Sequence, residues 1–328
     1  MNGQVRSILH TRLFWILSLL IVSIISLTIG VKDFNLFGIF TNSQEDINLA
    51  IVSRIPRLIS ILVTGSSLSI AGLIMQTITG NKFVSPSTAG TMEWSRFGVM
   101  LAILFFGGQA SILKMFIAFV TSLAGTIVFM QLLQKMRFKN AMVVPLVGMM
   151  LGNVISAITS FFAYRFDIIQ NMSSWLQGNF SLVIKGRYEL LYLGIPFLFI
   201  AYFYANKFTI AGMGESFSKN LGLNHRSVVS LGLVIVAVIT STVVVTVGSI
   251  SFVGIIIPNI VTMFMGDNLK NSLPVTAIVG ALFLLVCDMI GRLILFPYEV
   301  SISVIVSVLG SILFLLLLFR RKSKWNRG

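Results

Sequence analysis

An all-α polytopic membrane protein, with ten transmembrane helices and both termini in the cytoplasm, is the fold class that the sequence predicts, on three observations. Of the 328 residues, 56% are hydrophobic and only 10% charged, and the mean hydropathy is +0.96, outside the range of soluble domains. Uncharged runs of about 20 residues, the length that crosses the hydrocarbon as helix, recur along the whole chain. The basic residues are shared between the intervening loops in the pattern that fixes membrane orientation.

The runs can be taken in order. Leu13 to Val31 follows the basic residues Arg6 and Arg12 and has no small-x-small cleavage pattern after it, so it reads as a retained first span rather than a signal peptide. Single spans then follow at Leu58 to Asn81, Phe97 to Leu113, Met115 to Gln134, Asn140 to Tyr164, Leu190 to Asn206, Asn271 to Cys287 and Val300 to Phe319. The run Ser227 to Gly266 is about 60 Å as helix and predicts two spans, with a break between Gly248 and Pro258. With the termini inside, fifteen Lys and Arg fall in cytoplasmic segments and eight in external ones, leaving Arg96 at the start of the third span. Nine spans with a re-entrant Gly248 to Pro258 segment is the alternative; it splits the basic tails across the membrane. Residues 32 to 57 and 165 to 189 are external stretches long enough to hold structure, the second with Trp175 on an interfacial helix. No linker divides the chain, so residues 1–328 form a single transmembrane domain. Glycine-rich stretches at Gly65 to Gly72 and Gly248 to Gly254 hint at an internal repeat.

Composition also excludes classes of function. The excess of 24 Lys and Arg over 10 Asp and Glu reports loop topology in a membrane protein, not nucleic-acid binding. Cys287 is the one cysteine, and His10 and His225 lie in polar flanks, so the spans offer no thiolate or imidazole set for a metal ion. A metal that crosses here is expected to cross inside a chelate. There is no G-x-x-x-x-G-K-[ST] phosphate loop and no catalytic constellation, so an enzyme is not expected, and ATP-driven transport would need another subunit to bind the nucleotide.

Lys207 to Arg226, KFTIAGMGESFSKNLGLNHR, is polar, glycine-punctuated and wedged between apolar runs. Gly212, Gly214 and Gly222 bracket Glu215 to Leu221, which predicts about two helical turns with Phe217 and Leu221 on one face, suited to the membrane surface or to a docking protein. Glu93 with Arg96 and Asp288 with Arg292 have helical spacing and read as locally neutralised structural pairs. Gln76, Asn153 and Asn259 are polar residues at helix depth: conduit candidates, or hydrogen-bonding contacts between helices. Arg54, Arg57 and Arg292 are external arginines that are solvated, headgroup-facing, or contacts for an acidic partner.

Several stretches together resemble one family: the permease subunits of binding-protein-dependent ABC importers for iron siderophores, haem and vitamin B12 (FecCD-like). They are Arg54 to Leu58 (RIPRL), GLIMQ at Gly72 to Gln76, NKFVSP at Asn81 to Pro86 with Gly90, GESFSKNLGL at Gly214 to Leu223, GSISFVGIIIPNIV at Gly248 to Val261, and Asp288, Arg292 and Glu299. The resemblance covers nearly the whole chain. It departs at Asn259, where the family usually has histidine, and at Lys82, where it usually has proline. With FVSPSTAGTMEW at Phe83 to Trp94, the pattern is most similar to the ferric catecholate siderophore branch. The resemblance implies a plasma-membrane importer in which this chain pairs with itself or a similar second permease. It implies a cytoplasmic ABC ATPase dimer that uses ATP and Mg, and an extracellular siderophore-binding lipoprotein. Gly212, Gly214, Glu215, Leu221 and Gly222 would couple to the ATPase; Arg54, Arg57 and Arg292 would receive the binding protein. No cofactor or metal would be bound by this chain. A proton-coupled secondary transporter is the runner-up, and a structural membrane scaffold stands third.

Overall fold

The computed structural model describes residues 2–30, 44–86, 90–107, 111–135, 143–181, 183 and 188–325. The first part of the 32 to 57 stretch and the expected fifth-span start at Asn140 lie outside these residues. All regular structure among the described residues is helical: α1 (Asn2–Thr28), α2 (Gln44–Leu49), α3 (Ile55–Thr79), α4 (Thr91–Phe106), α5 (Ser111–Lys135), α6 (Val143–Arg165), α7 (Ile169–Leu176), α8 (Gly194–Gly212), α9 (Glu215–Asn220), α10 (His225–Val247), α11 (Val253–Met265), α12 (Leu269–Leu293) and α13 (Ile302–Trp325). A π turn, Ala50–Arg54, joins α2 to α3, and a 3₁₀ turn, Glu189–Leu193, leads into α8. Five stretches are long and apolar enough to cross a membrane: Asp46–Thr79, Leu146–Arg165, Glu189–Gly212, His225–Val247 and Leu269–Leu293. The chain is therefore a multi-pass membrane protein.

Local chemistry sets the helix limits. Pro56 lacks the N–H that would close a turn at the start of α3, and the ladder before it widens into the π turn. At the other end Gly80 takes φ 61°, and its N–H bonds the carbonyls of Gln76 and Thr77, closing α3 with a left-handed cap. Asn224 and Asn268 accept from the N–H groups of Ser227 and Lys270 and start α10 and α12.

α3 and α10 are enclosed along most of their length, whereas α6 and α8 leave most of theirs open. α3 packs against α8, α10, α11 and α12. Within lipid, helices gain no hydrophobic free energy from meeting one another, so close approach and hydrogen bonds hold them together. A Cβ at Gly65 would lie 2.5 Å from the Gly280 carbonyl, and one at Gly72 would lie 1.9 Å from that of Gly254. The two glycine-rich stretches read as a hint of repetition thus meet at the α3–α11 crossing. Ser95, Ser122 and Ser241, all fully buried, link α4, α5 and α10 through hydroxyl contacts of 2.7 and 2.6 Å.

Two expectations need correction. α4 starts at Thr91, well before Phe97, because Gly90 at φ 74° turns the chain and the Thr91 hydroxyl bonds the Pro86 carbonyl at 2.8 Å; Glu93 and Arg96 are therefore inside the helix. The run Ser227 to Gly266 breaks at Gly248 to Phe252, and Pro258 lies within α11. The second piece is only 13 residues, about 20 Å, short of the hydrocarbon thickness. The break is stitched to the residues after α7: Ser249 N–H bonds the Leu176 carbonyl at 2.9 Å and Asn179 N–H bonds that of Val247 at 3.1 Å.

Candidate functional site

α9 is a short amphipathic helix hung between two long ones. Gly214 has φ 108° and ψ 165°, a region open in practice only to glycine, and Gly222 has φ 73°. Gly212 is needed for another reason, since a Cβ there would sit 2.6 Å from the Thr77 carbonyl at the end of α3. Ser218, fully buried, fastens the inner face: its hydroxyl bonds the Gly214 carbonyl at 2.7 Å and the Ile210 carbonyl at 3.2 Å, and stands 3.3 Å from Nδ1 of His225. Glu215 pairs with Lys219 at 3.2 Å. The outer face carries Met213, Phe217 and Leu221, four residues apart and 60%, 47% and 58% exposed.

A different constellation gathers where α1 ends. Arg57 at the start of α3 binds Asp288 of α12 at 2.8 Å through Nη2 and both oxygens of Glu299 at 2.9 and 3.0 Å through Nη1. The other oxygen of Asp288 lies 2.7 Å from Nη2 of Arg292, and Arg292 Nη1 donates to the carbonyls of Ser26 and Ile29 at 3.0 and 2.7 Å. Arg54 also donates to the Ile29 carbonyl, and the Ser181 hydroxyl donates to Glu299. Arg54, Asp288 and Arg292 are buried, and the Arg57 side chain is 12% exposed. Burial pushes the Glu299 carboxyl up, but the Arg57 charge and the hydrogen bonds from Ser181 and Arg57 outweigh it and hold the group below the usual carboxylate range. The three arginines expected as open contacts are thus occupied by internal partners. An enclosed guanidinium without a partner would cost several kcal/mol, roughly, so the fold supplies carboxylates and carbonyls.

The polar residues at helix depth separate into two kinds. Pro258 has no N–H to give the Gly254 carbonyl four residues earlier, and Gln76 Nε2 donates there at 3.3 Å and to the Ile255 carbonyl at 3.2 Å. Asn259 Nδ2 donates to the carbonyls of Ile255 and Lys82, both at 2.7 Å. Gln76 is 2% exposed, so it is a packing residue, and Asn259 lines a pocket of about 170 Å³ with Lys82, Phe83, Thr262, Asp267 and Phe314. Asn153 alone of the three stands on an open helix face. Glu93 and Arg96 are 3.6 Å apart on α4. Among the described residues no group of three or more His, Cys, Asp or Glu is placed to hold a metal ion.

A model of the FecCD transport family matches residues 18–320. The chain belongs to the FecCD transport family. It is 55% identical to the petrobactin import system permease protein YclN of Bacillus subtilis, over 93% of this chain and 96% of that one. It is 40% identical to the ferric-anguibactin transport system permease protein FatD of Vibrio anguillarum, over 82% and 86% of the two chains. A solved metal-chelate type ABC transporter in an inward-facing conformation superposes with a TM-score of 0.82 at 26% identity, covering 95% of this chain and 99% of that one. The FecCD resemblance read from the motifs is therefore correct.

Within this FecCD permease, the Arg57–Asp288 pairing is what motif reasoning missed. The partners are 231 positions apart, and only their rarity among apolar runs marks them. Gln76 was visible as polar at helix depth, and its use follows from Pro258 once α3 and α11 are seen to touch.

Proposed function

We propose that this chain is the membrane-spanning subunit of an ABC importer that moves a ferric siderophore of catecholate type, the class of petrobactin, into the cytoplasm. The single observation that carries the substrate is the 55% identity to a petrobactin permease along nearly the full length of both chains. The chain works as one transmembrane domain of ten spans in the plasma membrane, both termini inside, paired with a second permease.

It has no ATPase site of its own and binds no cofactor. ATP and Mg act on a cytoplasmic ABC ATPase dimer, which grips α9. The exposed Met213, Phe217 and Leu221 enter an apolar groove, with Glu215 at the helix start, while the turns at Gly212, Gly214 and Gly222 transmit the movement. Closure of the ATPases then switches the permease between outward and inward openings, as rigid-body exchange between two states. An extracellular siderophore-binding lipoprotein docks at the cluster of Arg54, Arg57 and Arg292, its acidic residues competing for Arg57 with Glu299, whose side chain is 24% exposed. Asn153 and Asn259 contact the moving chelate.

Uptake of ⁵⁵Fe by intact cells with and without this chain, from ferric petrobactin, a ferric hydroxamate and haem, tests the assignment. Loss confined to petrobactin is expected. Loss confined to another chelate keeps the importer and discards the substrate; uptake that survives ATP depletion but collapses with the proton gradient discards the importer.

A further inference from the structure

The middle of the bundle carries a charge pair that this chain does not cover. Arg96 Nη1 lies 3.6 Å from Glu93 Oε1, one helical turn away on α4, and the two side chains are 42% and 24% exposed. Their depth follows from their neighbours. Ser95 bonds Ser122 midway along α5, and Ser122 accepts from Ser241 in the second half of α10. On the other side Glu93 lies against Gly152, midway along α6, where a Cβ would come 3.3 Å from Glu93 Cγ. The pair is thus level with the centres of three long helices, not with their ends. Beside Gly152 stands the exposed Asn153, and the open stripe of α6 continues through Ala157 and Ser160.

Lipid is the wrong neighbour for this face. Charged side chains within membrane helices face a bundle interior or a water-filled cavity, because hydrocarbon cannot solvate them, and Arg96 is too far from a helix end to reach the headgroups. Nor is the pair closed on itself. A charge-assisted hydrogen bond spans about 2.7–2.9 Å, and the arginine cluster around Asp288 achieves that; Glu93 and Arg96 do not. Among the described residues, Glu93 Oε2 and Arg96 Nε have no hydrogen-bond partner. A guanidinium held loosely by one carboxylate, with donors to spare, is arranged to accept an anion in passing and release it.

We propose, on the basis of the importer function above, that Arg96 contacts the anionic oxygens of the chelate during its passage, with Glu93 as its resting counter-ion and Asn153 lining the same water-filled path. Ferric complexes of catecholates and carboxylates carry net negative charge and paired oxygens, which the planar guanidinium fork matches. Glu93 neutralises Arg96 when the path is empty, and the arriving anion exchanges with that carboxylate.

Because Cys287 is the one cysteine and is buried, Arg96→Cys and Asn153→Cys each create one accessible thiol. In proteoliposomes holding the assembled transporter, both are expected to react with a membrane-impermeant anionic methanethiosulfonate in the nucleotide-free or the ATP-bound state; Asn153→Cys decides if Arg96→Cys fails to assemble. Uptake of ⁵⁵Fe-petrobactin is expected to fall about tenfold in Arg96→Gln and to recover largely in Arg96→Lys, with co-purification of the ATPase as the control for assembly. No labelling in either state would overturn the inference, since lipid or a second permease then covers the pair. Wild-type uptake matched by Arg96→Gln would overturn it too. If the wild type takes up no ferric petrobactin while the thiols are labelled, the chelate contact falls together with the proposed substrate, and the water-filled path stands.

Discussion

Around Arg57, charge is drawn inward: guanidiniums, carboxylates and the last carbonyls of α1 use one another up at 2.7–3.0 Å. At α9 the reverse holds, for Met213, Phe217 and Leu221 are held outward while the polar Ser218 is fully buried. The first arrangement joins α1, α3 and α12 and the turn before α13, so its energy goes into the fold. The second stabilises nothing in this chain and exposes apolar surface, which a protein keeps where a partner covers it. Substitutions should therefore cost stability at one region and activity at the other.

Asp288→Ala gives the largest effect. It strips the shared carboxylate from two enclosed arginines and should lower folding stability by about 3–5 kcal/mol, read as a collapse of the melting temperature in detergent. A melting temperature equal to wild type would mean that water reaches the cluster and the comparison fails. At the other region, Phe217→Asp with Leu221→Asp should cut ATP-dependent uptake at least about tenfold, as at interface hot spots, while stability stays within about 0.5 kcal/mol. Lost stability there would mean that the outer face packs inside the fold.

Gln76→Leu leaves the Gly254 carbonyl without a side-chain donor and should cost about 1–3 kcal/mol, with substrate selectivity unchanged; altered selectivity would return Gln76 to the conduit. Gly214→Ala forces an unfavourable backbone region at a cost of about 1–3 kcal/mol and should misplace α9, seen as lower ATPase co-purification with the chain still folded.

The smallest effect is on pH. The Glu299 carboxyl is held below its ordinary value, so its contribution is complete above the unfolded pKa of about 4.3 and is lost as pH falls through the lower folded value. Comparing melting temperatures of wild type and Glu299→Gln from pH 7 to 3 should show a gap that closes toward acid. A gap independent of pH would remove the ionised carboxylate from the cluster.

The sequence made the two regions unequally legible. α9 could be read because its signals are local: glycines around a short amphipathic segment, with Phe217 and Leu221 one turn apart. The apolar runs were legible for the same reason. Arg57, Asp288 and Glu299 each appeared as separate features, and nothing local says that one arginine is shared between two carboxylates so distant in the chain. Excluding charges from spans also placed the start of α4 too late, because Glu93 and Arg96 were assigned to its flank. A run of 40 uncharged residues likewise could not show that α11 is a half-length helix, since that length depends on the backbone turn at Gly248 (φ 97°).

The central claim is that ATP hydrolysis outside this chain drives chelate movement through α9. The most direct measurement is accumulation of ⁵⁵Fe-petrobactin in proteoliposomes containing the permease, its ATPase and its binding protein, with ATP supplied on the α9 side. ATP-dependent accumulation in the wild type that disappears in the Phe217→Asp, Leu221→Asp double variant, with the variant folded, is the predicted result. Equal accumulation by the two, or accumulation driven by a proton gradient without ATP, would contradict it.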